Sequence, residues 1–238
     1  MSSIHLLYKD ELPVNDKIGI KVPKLRDVLE QEDDYYSMVS MLTAEPIDMM
    51  VQLDDMGIDF TQITDYELFL YTFTSIREMD TSLIFGDLDL KAFELAVNEK
   101  TDMPVLVDRE RDIVIDRLIY EKITSILRKI NHLEKNNKKP GNEEARQYLI
   151  ERARAKQKRR KSRSEQSELE QLIIALVNTE QCGYGFEGIL ELSIYQFNES
   201  VHQIISKVNY DNRMHGVYAG TVDTKQFKPE DFNWLTHK

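Results

Sequence analysis

Gly183-Tyr184-Gly185-Phe186-Glu187-Gly188 has the G-x-G-x-x-G spacing with which dinucleotide-binding loops bring backbone amides up to a pyrophosphate. That chemistry needs a strand before the glycines and a full βαβ unit around them. Here the preceding Leu169 to Asn178 reads as helical, and only 50 residues follow Gly188, so a helix C-terminus followed by a loop is expected instead. The histidines His5, His132, His202, His215 and His237 are scattered, with no pair at ligand spacing and only Cys182 to join them. A zinc or nucleophilic site needs a denser set. Asp87 and Asp89 open like a calcium loop, but the glycine and terminal glutamate of such a loop are missing at the required offsets, so a turn with capping acids is expected. The chain is accordingly read as a non-enzyme with no cofactor and no metal.

Two further groups could bind without catalysing. Arg152, Arg154, Lys156, Lys158, Arg159, Arg160, Lys161 and Arg163 are dense enough to neutralise several phosphates and release their counterions. No aromatic side chain is interleaved for base stacking, however, and the rest of the chain is acidic enough to repel a polyanion. An arm that docks on an acidic face of the same or another protein is the favoured reading, with polyanion binding as the alternative. Near the end, Phe227, Phe232, Trp234 and Leu235 stand in an otherwise polar stretch. Aromatic anchors on a short extended segment fit a groove, either on a partner or on the chain's own body, and these four are the candidate partner-binding residues.

The charge is unevenly spread over the elements that must hold these groups. The 238 residues include 31 basic and 42 acidic side chains, for a net of −11. Between Glu134 and Ser164 twelve basic and four acidic residues give +8, which leaves the other 207 residues at −19. An apolar fraction of 41% can supply a core, and with 9 Gly and 6 Pro the chain has few obligatory tight turns, which argues for long helices over a sandwich or barrel. A single cysteine suits a reducing compartment. The first eleven residues lack the pattern of a signal peptide, and no run approaches the ~20 apolar residues of a membrane helix, so an intracellular chain without a membrane partner is expected.

Periodicity then gives the elements. Ile4, Leu6 and Tyr8, followed after an Asn15-Asp16 turn by Ile18, Ile20 and Val22, predict two short strands. Lys24 to Leu53 reads as two helices interrupted near Pro46 and ended by Gly57; Thr64 with Glu67 opens another through Phe69, Leu70, Phe73 and Ile76. Short apolar runs at Leu83–Phe85, Phe93–Val97, Val105–Val107 and Ile113–Ile115, the last three separated by polar breaks, read as a small antiparallel sheet. Asp116 caps a helix with Leu118, Ile119, Ile123, Ile126, Leu127 and Ile130 on one stripe. Glu143 to Lys161 favours a solvated helix or a linker, with an apolar spot at Tyr148, Leu149 and Ile150. A helix from Leu169 with Leu172, Ile173, Ala175, Leu176 and Val177 on its apolar face follows, and Ser193 with Gln196 makes a capping box for a last long helix through Phe197, Val201, Ile204, Ile205 and Val208, with Met214 as a candidate extension. There is no internal repeat. The expected fold is α+β and predominantly helical, with small antiparallel β elements in the N-terminal half and a helical C-terminal half. Its parts are an N-terminal α+β domain (1–132), a basic charged helix or linker (133–164), a C-terminal helical unit (165–218) and an aromatic-containing tail (219–238).

Pro46-Ile47-Asp48-Met49, Leu53-Asp54-Asp55-Met56-Gly57-Ile58-Asp59-Phe60, Asp65-Tyr66-Glu67-Leu68-Phe69 and Leu83-Ile84-Phe85-Gly86-Asp87-Leu88-Asp89 together resemble a family of tailed-bacteriophage proteins. The likeness continues through Ile113-Val114-Ile115-Asp116-Arg117-Leu118-Ile119-Tyr120, Leu127-Arg128-Lys129-Ile130, Ile174-Ala175-Leu176-Val177-Asn178 and Asn233-Trp234-Leu235, leaving out the basic arm. Members occur in phages and prophages of Gram-positive hosts, encoded among tail morphogenesis genes near the tape-measure protein. The resemblance implies a tail assembly protein, a chaperone or morphogenesis factor that keeps a long apolar tape-measure chain soluble in the host cytoplasm until the tube polymerises. Its partners would be phage tail proteins, the tape-measure protein among them. A nucleic-acid-binding phage protein using residues 152–163 and a structural virion component are the alternatives; oligomeric state is left open.

Overall fold

The computed structural model describes residues 3–136, 139–160, 167–223, 225, 227, 228 and 232–235. Its first element corrects an expectation. Ser3–Leu7 forms a tight 3-10 turn in place of a strand, and the hairpin is made by β1 (Glu11–Pro13) and β2 (Gly19–Lys21), with Leu12 opposite Ile20. The alternation of Ile4, Leu6 and Tyr8 does not mark a shared face, because Leu6 is buried while Ile4 and Tyr8 are exposed. Backbone bonds from Tyr8 and Lys9 to the His5 carbonyl satisfy this segment locally. The Asn15 side chain then accepts from the Lys17 and Ile18 amides at 2.9 and 2.7 Å, which fixes the turn before β2.

Three helices, where two are expected, follow: α1 (Leu25–Glu30), α2 (Glu32–Thr43) and, beyond Pro46, α3 (Met50–Asp55). Gln31, at φ −134°, breaks the first pair, and Gly57, at φ +72°, turns the chain out of the third in a conformation that favours glycine. α4 (Asp65–Ile76) starts on the expected capping box: the Thr64 hydroxyl accepts from the Glu67 amide at 3.2 Å, and the Glu67 carboxylate accepts from the Thr64 amide at 2.7 Å. The Leu83–Phe85 run is a turn of helix, α5 (Ser82–Phe85), and not a strand. Adjacent Ile84 and Phe85 are both buried beside β2, which one helical turn permits and a strand, with side chains on alternate faces, would not.

The sheet is antiparallel in the order β3 (Glu94–Val97), β4 (Pro104–Asp108), β5 (Ile113–Ile115), with Leu95 opposite Leu106 and Leu106 opposite Ile115. The Asp116 carboxylate accepts from the Ile119 amide at 2.8 Å and starts α6 (Arg117–Ile130). Its buried stripe is Tyr120, Ile123, Thr124, Ile126, Leu127 and Ile130. Leu118 stays 66% exposed, since it lies about 140° round the helix from Ile123.

Beyond the basic segment come α7 (Glu143–Arg160), α8 (Glu168–Val177), α9 (Phe186–Leu190) and α10 (Ile194–Tyr218). The protein is thus α+β and mainly helical, with two small antiparallel sheets in its N-terminal half and helices in its C-terminal half. One hydrophobic core draws on both ends of the chain: Leu25, Val28, Phe93, Tyr120 and Ile130 pack with Leu169, Ile173, Ile189, Ile194 and Phe197. The join is hydrogen-bonded, because the Leu25 amide donates to the Leu192 carbonyl at 2.8 Å and the Ile194 amide to the Pro23 carbonyl at 2.9 Å. No helix among the described residues is long and apolar enough to cross a membrane.

Candidate functional site

α7 is charged on almost every face, so packing alone cannot tell it where to lie. One apolar residue anchors it: Ile150 is buried with Leu53, Phe60 and Leu68 in a small second core. Electrostatics orient the rest. Arg154 reaches Asp54 at 2.8 Å and Asp55 at 2.5 Å at the end of α3, while Arg146 pairs with Glu143 at 2.6 Å and approaches Asp59 at 3.7 Å. The Arg146 guanidinium, with a bond from Gln147, holds the Glu143 carboxyl down at about 2. Of the basic candidates, Arg154 therefore turns onto acidic groups of the same chain, whereas Arg152, Lys156 and Lys158 are exposed. Arg159 and Arg160 close the helix; Lys161 and Arg163 lie outside the described residues.

A cleft of about 1120 Å³ opens between the start of α4, the outer face of α6 and the 133–136 segment. Its walls carry charge, but much of that charge is spent on holding the walls together. Glu45 and Arg128, both nearly buried, lie 3.5 Å apart; Arg128 also donates to the Thr43 carbonyl at 2.7 Å, and Glu45 accepts from the Asn136 amide at 2.9 Å. Lys135 pairs with Asp65 at 2.6 Å across the cleft. His132 stacks near Tyr195, with its ring nitrogen 3.5 Å from Glu199. The phenols stay protonated: burial raises Tyr66 to about 12 and pushes Tyr120 higher still, and burial with the neighbouring Glu199 raises Tyr195 to about 12. Tyr66 donates to the Ile115 carbonyl at 3.0 Å and Tyr120 to the Leu42 carbonyl at 3.2 Å, so each ties a helix to a neighbouring element. These groups brace α4 and α6 with ordinary hydrogen bonds.

The glycine-rich stretch falls only partly where sequence reasoning puts it: α8 ends at Val177 and a loop runs to Gly185, but Phe186, Glu187 and Gly188 open the short helix α9. Asp89 accepts from the Lys91 amide at 2.9 Å and so caps the turn that is expected there. Among the described residues no group of three His, Cys, Asp or Glu side chains is placed to hold a metal ion; His237 is outside them.

α10 is the longest helix among the described residues. Its 25 residues span about 37 Å. Ile194, Tyr195 and Phe197 are buried at its start, Val201 and Ile204 pack partly against the core, and no residue beyond Phe197 is buried. The chain then reverses. The Thr221 amide and hydroxyl donate to the Gly216 carbonyl at 2.9 and 3.1 Å, and Gly220 takes φ +70°. A Cβ on Gly216 would meet a Val222 methyl at 2.6 Å, so a residue with a side chain there would displace the Val222 side chain. The tail comes back beside the helix: Arg213 lies 5.5 Å from the centre of the Phe227 ring, and Lys207 lies 5.9 Å from the Trp234 ring. Phe227 and Phe232 pack at 5.6 Å between centroids. Three of the candidate partner-binding aromatics are thereby engaged within the chain, although Phe232 and Leu235 keep 43% and 54% of their surface exposed. Sequence reasoning misses their receivers, Lys207 and Arg213, and the reversal at Gly216 and Gly220, for which two glycines four residues apart at the end of a long helix were the signal.

The architecture defines an α+β, mainly helical protein. Residues 157–238, which carry α8, α9, α10 and the tail, match the family model described as the YomV second domain. This third of the chain is thus similar to a phage-associated domain. No curated protein and no solved structure matches the chain.

Proposed function

We propose that the protein is a non-enzymatic tail assembly factor of a tailed phage, which chaperones an apolar tail component, the tape-measure protein, by protein-protein binding in the host cytoplasm. One observation carries this reading: the stretch similar to a phage-associated domain contains the helix whose distal half extends past the core with apolar side chains on its surface. An amphipathic helix that is only half used by its own core is suited to cover apolar helices of a partner until they assemble. The tailed-phage resemblance in Leu83 to Asp89, Ile113 to Tyr120 and Asn233 to Leu235 supplies the setting. Co-expression with the tape-measure protein encoded nearby should raise its soluble fraction and yield a complex; unchanged solubility without co-purification rejects the chaperone role. Mass spectrometry of purified virions then separates an assembly factor that leaves from a structural component that stays.

A second reading draws on the exposed Arg152, Lys156 and Lys158, which could bind a polyanion through α7. A fluorescence anisotropy titration with a labelled oligonucleotide at low salt tests it. Affinity that is lost when these three become alanine supports it, and unchanged affinity removes α7 from consideration.

A further inference from the structure

We propose that the distal half of α10 is a docking surface for extended, aromatic-rich segments, and that its resident occupant is the chain's own C-terminal tail. Around a helix at 100° per residue, α10 carries two apolar stripes. Phe197, Val201, Ile204 and Val208 lie within about 60° of one another, and the first three meet the core. Tyr210, Met214 and Val217 form the other, about 140° away, where no core element waits for them. They are nevertheless only half-exposed, while Asn209, Asn212, His215 and Tyr218 on the same turns are exposed.

The described residues of the tail flank this stripe. Val222 packs at Gly216, Phe227 meets Arg213 and Trp234 meets Lys207, so the tail runs antiparallel to the helix. In angular position Gly216 and Arg213 lie on one side of the second stripe and Lys207 on the other, so the three contacts bracket Tyr210, Met214 and Val217. Recognition is built from aromatic rings over the cations Lys207 and Arg213, with flexible Met214 between them. Lys207 is itself held by both carboxylate oxygens of Asp211 at 2.6 Å, which fixes the cation under the ring.

No described residue of the tail belongs to either hydrophobic core, so its release leaves both cores in place. The tail is thus a displaceable cap. A partner segment of the same chemistry, with aromatic side chains spaced to meet the two cations, takes its place only by competing with a tethered occupant at an effective concentration of order millimolar. For its purpose the surface rests on the binding function proposed above; its existence does not.

Trp234 is the single tryptophan of the chain, so its fluorescence reports docking directly. In the full-length protein acrylamide should quench it markedly less than in a synthetic peptide of residues 221–238. A fluorescein-labelled copy of that peptide should bind the full-length variant Phe227→Ser/Phe232→Ser/Trp234→Ser about tenfold more tightly than the unaltered chain, because the variant leaves the surface open. Adding Lys207→Ala and Arg213→Ala to that variant should abolish the gain. Equal quenching in protein and peptide, equal peptide affinity for both chains, or no binding to the tail-released chain overturns the proposal. These readouts contain no phage partner, so failure here and failure of the tape-measure co-expression are separate results.

Discussion

Glu45 and Arg128 are the charged pair most enclosed by the fold, with side-chain exposures of 7% and 13%. Two desolvated charges are tolerated there because Asn136 and the Thr43 carbonyl complete their hydrogen bonds. Removing one partner strands the other. Arg128→Met should lower the unfolding free energy by about 3–5 kcal/mol in urea denaturation, and adding Glu45→Met should recover part of that loss; a single variant as stable as the parent would mean the pair is solvated. Glu143 gives a pH prediction with a definite sign. Its folded-state pKa lies below its ordinary value of 4.5, at about 2, so its contribution is present above roughly 4.5 and lost as the pH falls towards 2. A carboxyl NMR titration should place its midpoint near 2 in the native protein and return it to the ordinary carboxylate range in Arg146→Ala. Residue-scale signals were legible in the sequence where the partner is three or four positions away, as for Thr64 with Glu67 or Ser193 with Gln196. Glu45 and Arg128 are brought together from 83 positions apart by the packing of α2 on α6, which no local pattern encodes.

Among the elements, α7 depends most on a single contact. Its sequence favours a helix but supplies one buried side chain, Ile150, and a few ion pairs to α3 and the loop after it. Ile150→Ala should cost about 2–5 kcal/mol of local stability, and exposed ion pairs worth at most about 1 kcal/mol each cannot replace it. Hydrogen exchange should then show α7 amides losing protection while those of α6 keep theirs; protection that survives in α7 would shift its anchoring to the arginines. The same element shows how far periodicity reads. The helix and its apolar spot follow from composition, but docking required Asp54, Asp55 and Asp59 to meet the basic side at the right spacing. Periodicity failed at Ser3–Leu7 and Ser82–Phe85 for a related reason. Runs of three or four apolar residues are too short to distinguish strand from helix, and burial by neighbours makes the choice.

At the scale of the whole molecule, the basic stretch divides the sequence but not the core. Leu169, Ile173, Ile189, Ile194 and Phe197 complete a core begun by Leu25 and Val28, so the two halves should unfold together. Calorimetry should record one transition, and Phe197→Ala, at a site with 0% exposure, should lower its midpoint with a loss of about 3–5 kcal/mol; two separate transitions, with only one shifted, would contradict the shared core. By itself the sequence determined the helix-rich α+β class, the capped starts of α4, α6 and α10, the β3–β5 meander and the charge division, because each follows from contacts between near neighbours or from composition. Only the tertiary structure decided that the two halves of the chain share a core, that α7 lies on α3, and that the aromatic tail returns along α10. Those arrangements join residues far apart in the chain, and their stability comes from surfaces that exist only after the elements have formed.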